Sequence, residues 1–154
     1  MTKKNSIKAL SKNKGFTLVE LIVVLVILAI LAAILVPTLL GYIDKARSEK
    51  DFATAQSIRV ATQAIIDELY GKGDDTVDSS DIIGKDAENE IYALVGADKG
   101  SDNKYKIDGQ EVKITAMKTS SNQLTDIIVT IGGKNYKYTS SSNTWAATTE
   151  TKLD

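Results

Sequence analysis

The run KGFTLVELIVVLVILAILAAILV, Lys14–Val36, is the part of the chain that decides its fold. A small residue is followed by an aromatic one and then by apolar side chains almost without a break. Sixteen consecutive residues from Leu21 to Val36 are apolar, and Glu20 is the one charge between Phe16 and Ile43. As an α-helix, residues 16–43 would extend about 42 Å at roughly 1.5 Å per residue. A bilayer core needs about 20 apolar residues, so this segment is long enough to cross it. Ahead of it, residues 1–15 carry five lysines (Lys3, Lys4, Lys8, Lys12 and Lys14) and no acid. The positive-inside bias keeps those lysines in the cytoplasm and places the C-terminal portion outside.

Glu20 is out of place in a simple anchor. A carboxylate at the centre of a bilayer costs about 2.5–3.5 kcal/mol on insertion scales, and such groups usually have a partner. Glu20 lies toward the cytoplasmic end, where the cost is lower, but Leu or Val would be cheaper still. No other ionisable side chain lies between Phe16 and Tyr42. A cut after Gly15 would create one. The new α-amino group of Phe16, with a pKa of about 7.7–8.0, is largely cationic at neutral pH. It could then meet Glu20 of a neighbouring subunit. A secretory signal peptide fits less well, because its apolar core is shorter and its small-residue cleavage site follows that core. Here Gly15 precedes it.

The leader, Gly15, Phe16, Thr17-Leu18-Val19, Glu20, the apolar run and Pro37 together resemble the class III signal and first helix of type IV pilins and pseudopilins. The resemblance covers about residues 12–70. It implies cleavage between Gly15 and Phe16 by a membrane prepilin peptidase, and methylation of the Phe16 amine by the same machinery. Methylation keeps the charge while making it less hydrated. The resemblance also implies that Glu20 and Phe16 register each subunit in a helical homopolymer. An assembly platform in the membrane and minor pilins would be partners, and the subunit would sit in the cytoplasmic membrane before joining an extracellular fibre.

Composition narrows the alternatives. The 154 residues include no His and no Cys. This removes the usual general base, the usual zinc ligands, thiol nucleophiles and any disulfide. No catalytic constellation is visible, so the chain reads as a non-enzyme with no cofactor. Beyond residue 15, 14 basic side chains face 20 acidic ones, a balance of −6. Nucleic-acid binding by the body of the chain is not indicated. Asp74, Asp75, Asp78 and Asp81 crowd one loop and Asp98 and Asp102 another, but no EF-hand spacing occurs, so they read as solvated.

Past the apolar run, Pro37 and Gly41 mark a place where the helix can kink or locally melt. Phe52, Ala55, Ile58, Ala61 (or Thr62), Ile65 and Leu69 then recur at three- and four-residue spacing, giving one apolar stripe. The alternating charges Asp44, Lys45, Arg47, Glu49, Lys50 and Asp51 read as a solvated face or as bridges between subunits. With Gly71 as its C-cap, the helix is expected over Phe16–Tyr70, about 82 Å. A short helix is expected over Lys85–Val95. Two hairpins follow: YKI with EVKITAM across Asp108-Gly109, and DIIVTI with KNYKYT across Gly132-Gly133. Along EVKITAM the inward set reads either as Val112, Ile114 and Ala116 or as Lys113, Thr115 and Met117. Trp145, in a Ser/Thr-rich tail, is expected to seal the sheet edge.

The expected fold is α+β, a type IV pilin-like roll in which one very long helix packs on an antiparallel sheet of about four strands. Its parts are a cleaved leader (1–15), a transmembrane and assembly half-helix (16–43), an amphipathic half-helix (44–70) and a globular head (71–154). Its function is expected to be that of a structural subunit of a type IV pilus serving adhesion, surface motility or colonisation. The alternatives are a major pseudopilin of a type II secretion or DNA-uptake machine, and a membrane-anchored adhesin that does not polymerise.

Overall fold

The computed structural model describes residues 15–73 and 75–153. Residues 1–14 of the expected leader (1–15), with their five lysines, Asp74 of the acidic loop, and Asp154 lie outside that range. Helix α1 spans Leu18–Gly71, α2 Ser79–Ile82 and α3 Asp86–Leu94. Six strands follow: β1 Asp98–Lys99, β2 Tyr105–Ile107, β3 Gln110–Ser120, β4 Gln123–Ile131, β5 Lys134–Thr139 and β6 Thr144–Thr148. The chain divides into two compact units after Asp44.

In the N-terminal unit, every large hydrophobic side chain from Phe16 to Ile43 is at least 39% exposed. The most apolar 18-residue window of α1 has a mean hydropathy of 3.3 and is 0% buried. Helix α1 continues through Pro37, and Gly41 stays helical. The Thr38 hydroxyl donates to the Leu35 carbonyl at 2.8 Å, one turn from the place where Pro37 withholds an N–H.

The second unit, Lys45–Asp154, has its own core. The sheet is a meander in the order β1-β2-β3-β4-β5-β6, antiparallel throughout. It has six strands where the sequence suggested about four. The extra strands are the edges. β1 has two residues, too short for any alternation to show. β6, TWAAT, lies inside the Ser/Thr-rich tail, for which no strand was expected, yet Thr and Trp suit a pleated surface. It pairs with β5 from Asn135↔Thr148 to Thr139↔Thr144.

Two-residue turns set the sheet register. Asp108 and Gly109 both have positive φ (50° and 80°), as a type I′ hairpin demands. Ser121 and Asn122 make a further such turn between β3 and β4, at φ 51° and 59°. Its Ser-Asn sequence is a weaker signal than Asn-Gly. A β-bulge between Ile114 and Ala116 resolves the two readings of β3. Val112 and Ile114 are buried before the bulge and Met117 after it, because one extra residue flips the alternation. Helix α3 ends in a Schellman motif. Gly96 takes φ 70°, its N–H donates to the Ala93 carbonyl, and the Ala97 N–H donates to the Tyr92 carbonyl.

The buried face of α1 follows the predicted stripe. Ala55, Ile58, Ala61, Thr62 and Ile65 are buried, joined by Ile66, while Phe52 and Leu69 are partly buried against the core. Asp51 departs from its expected solvated place. It is 4% exposed, and the Tyr136 hydroxyl donates to its Oδ2 at 2.7 Å. The Phe52 ring meets Tyr136 edge-on at 5.0 Å. The same helix face reaches the sheet by polar bonds. Gln63 donates to the Asn122 carbonyl (3.1 Å) and accepts from the Leu124 N–H (2.7 Å). The Trp145 indole donates to Gln56 Oε1 at 2.8 Å, so β6 is tied to the helix at the sheet edge.

Burial, and then the bond to Asp51, pushes the Tyr136 hydroxyl up to about 12. A tyrosine raised above its unfolded value of about 10 contributes its full stability below pH 10 and loses it as pH rises toward 12. Tyr136→Phe should therefore flatten the fall in stability across pH 10–12. At neutral pH it should destabilise the unit by about 1–3 kcal/mol, by leaving a buried carboxylate without its donor. Denaturant titration of the full chain in detergent at pH 7 and pH 11 reads both effects. An unchanged midpoint at pH 7 would show that the bond adds nothing.

Candidate functional site

The residues singled out in the sequence gather at the start of α1. Gly15, Phe16 and Thr17 precede the helix, which begins at Leu18 rather than at Phe16. The reason is Thr17. Its hydroxyl accepts from the Glu20 N–H (3.2 Å), and Glu20 Oε2 accepts from the Thr17 N–H (2.8 Å) and hydroxyl (2.7 Å). Its carbonyl accepts from the Leu21 N–H at 3.2 Å, the first bond of the helical ladder. This is a capping box, in which an N-cap hydroxyl and a carboxylate three residues later satisfy each other's backbone amides. It also places a negative charge in the first turn, where the helix dipole favours it.

Glu20 therefore has partners inside its own chain. Sequence reasoning looked for a cation and overlooked a hydrogen-bonding cap. The signal was present as Thr17-Leu18-Val19-Glu20, the Thr-x-x-Glu signature. A carboxylate accepts several hydrogen bonds, so a cap donor and a cation from another molecule can share it.

Gly15 and Phe16 stand apart from any packing. A Cβ on Gly15 would meet nothing within 4 Å, so the fold of the described residues does not require glycine there. Phe16 is 80% exposed. The two sit on non-helical backbone next to a capped helix, an arrangement that can enter another protein's cleft without unwinding anything. Pro37 and Gly41 lie farther along α1, roughly 25–32 Å from Glu20 at 1.5 Å per residue, and form no cluster with it. A Cβ on Gly41 would also meet nothing within 4 Å.

Several acidic residues of the second unit have local partners. Asp78 caps α2, accepting from the Ser80 N–H at 2.6 Å, while Asp81 accepts from the Asp78 N–H at 2.8 Å. Hydrogen bonds from Ser80 hold the Asp78 carboxyl below the usual range. The Lys104 amide does the same for Asp102, which also lies 3.3 Å from the Lys106 ammonium. On the charged face of α1, Lys45 lies 4.0 Å from Glu49 and Lys50 reaches Asp108 at 2.9 Å, both exposed pairs.

Residues 10–36 match the family described as the prokaryotic N-terminal methylation motif. Over 101 residues the chain is 31% identical to the type IV major fimbrial protein FimA of Dichelobacter nodosus. That alignment covers 66% of this chain, and the chain spans about 60% of the relative's length. No solved structure matches.

The capping box predicts the effect of Thr17→Val. Loss of an N-cap hydroxyl weakens a helix end by about 0.5–2 kcal/mol. Amide hydrogen exchange at residues 18–21, measured on the full chain in detergent micelles, should become several-fold faster while residues 55–66 keep their protection. Equal exchange in both proteins would show that Thr17 does not hold the first turn.

Proposed function

We propose that this chain is a type IV pilin-like structural subunit, processed at Gly15–Phe16 and polymerised through its N-terminal helix into an extracellular fibre. One observation carries the reading: an apolar helix, open to its surroundings from Leu18 to Ile43, carries a carboxylate in its first turn rather than running apolar to its end. Before assembly a bilayer covers that surface, with the leader in the cytoplasm. In a fibre, neighbouring helices cover it. The Phe16 amine released by the cut supplies a cation, and Glu20 of an adjacent subunit is its partner in a water-poor interior where such a pair is strong. Pro37 and Gly41 give the helix a place to unwind as subunits pack. The matched methylation motif supports processing and amine methylation by a prepilin peptidase, and the fimbrial relative supports the long-pilus reading, with adhesion, motility or colonisation as the use of the fibre.

The capping box offers a rival account of Glu20, in which it serves the helix end alone. Glutamine separates the two, since its side-chain oxygen can still accept from the Thr17 amide but carries no charge. Glu20→Gln and Glu20→Ala should both be cleaved and both yield at least about ten-fold fewer sheared surface fibres. Normal fibres from Glu20→Gln would remove the charge pairing and leave only the cap. Mass spectrometry of wild-type sheared material should show a chain beginning at Phe16 with one added methyl group. An intact Met1 terminus there would overturn the reading.

A further inference from the structure

We propose that the head binds a carboxylate-bearing sugar, of the kind found as uronic acid units in surface polysaccharides, in the cavity between α3 and the edge of the sheet. The site does not depend on polymerisation, since it lies wholly within the second unit. It arises where β2 stops short. Tyr105 pairs with Val112, the last pair between the two strands, but β3 runs on to Ser120, so on its β2 side Ile114 has no strand partner, although β4 flanks it on the other side through Val129. The Tyr92 hydroxyl of α3 fills that place, accepting from the Ile114 N–H at 2.8 Å and donating to Glu88 Oε1 at 2.8 Å. The helix is thereby held off the sheet edge, leaving a cavity of about 400 Å3, within the size range of small-molecule sites.

Its lining is basic in a protein whose body is acidic. Lys85, Lys99, Lys104 and Lys113 face two acids, Glu88 and Glu111. Both acids are already engaged. Glu111 lies 2.7 Å from the Lys104 ammonium, and Glu88 accepts from the Gly84 N–H (2.7 Å) as well as from Tyr92. Among the described residues, Lys85, Lys99 and Lys113 have no carboxylate within ion-pair distance. Beyond residue 15 the chain carries a balance of −6, whereas the four ammonium groups and two carboxylates lining this concavity leave a local excess of positive charge among the described residues.

An aromatic floor accompanies the charge. The Tyr105 ring stacks on Tyr92 with centroids 4.2 Å apart, and its hydroxyl donates to Asn89 Oδ1 at 2.6 Å, so the ring is held from both ends. Lys99 rests over Tyr105 with its ammonium 5.3 Å from the ring centroid. An ammonium on a flexible stem can swing aside while remaining above whatever replaces it. A fixed ring, ammonium groups on flexible stems at its rim and the side chain of Asn103 suit a hydroxylated pyranose ring that lays an apolar C–H face on the tyrosine and bears a carboxylate. They do not suit a bare inorganic anion, which has no use for the ring face.

The test is equilibrium dialysis of the full chain in detergent with digalacturonic acid, its dimethyl ester and inorganic phosphate as probes. The acid should bind and the ester should bind at least about ten-fold more weakly, because the ester keeps both rings and loses both charges. Phosphate should displace the acid only when present in large excess. Lys85→Gln/Lys113→Gln, both exposed positions, should weaken binding of the acid about ten-fold without shifting the melting temperature. Failure of the acid to bind at millimolar concentration, equal binding of the ester, equal competition by phosphate, or full binding by the double variant would each overturn the proposal.

Discussion

An apolar helix surface that its own chain leaves open must be covered by lipid or by other molecules, and that constraint organises the protein. Hydrophobic burial contributes roughly 25 cal/mol per Å2, so a row of exposed Leu, Ile and Val from residue 18 to residue 40 is a large unmet driving force in water. Covering that row by a bilayer and covering it by copies of itself are close in chemistry. Exchange between the two therefore need not be steeply uphill. What distinguishes the two environments is polar: a carboxylate at the head of the helix is tolerated near the lipid interface and useful where a cation is brought to it.

The second unit solves an ordinary folding problem with few polar compromises. The stripe on α1 meets a sheet whose register is set by tight turns of positive φ. Where side chains carry polar atoms into that contact, each has an assigned partner: Asp51 with Tyr136, Gln56 with Trp145, Gln63 with the β3–β4 turn, and the Thr62 hydroxyl with the Ile58 carbonyl. Among the described residues, no buried side-chain nitrogen or oxygen lacks a hydrogen-bond partner. Such bonds fix which residues of helix and sheet face each other, which apolar contact alone leaves loose.

Long-period features were readable in the residues and short or compensated ones were not. The helix stripe and the Asp108-Gly109 and Gly132-Gly133 hairpins each rest on strong local preferences, and they stand where the spacing put them. The edge strands β1 and β6 were missed because two residues carry no alternation and because Ser and Thr also signal loops. The bulge after Ile114 could be met only as an ambiguity, since a phase shift shows up as two patterns that each fit half a strand. Asp51 was misplaced because its partner lies 85 residues away in the chain. At the N-terminus, Gly15, Phe16 and Glu20 drew notice by their chemistry, whereas the cap from Thr17 was hidden by the expectation that a charge must find an opposite charge.

The geometry of that cap bears on the energetics of the proposed cleavage. The amide bonded by Glu20 belongs to the peptide link between Phe16 and Thr17, and the hydroxyl and the first helical carbonyl belong to Thr17 itself. Every atom that starts the helix lies on the retained side of the Gly15–Phe16 bond. Hydrolysis of that bond would leave these hydrogen bonds and the first turn in place. On the proposed reading, the retained chain would therefore keep its helix start unchanged, and the cut would depend on an enzyme's access to the Gly15–Phe16 bond rather than on refolding of the first turn.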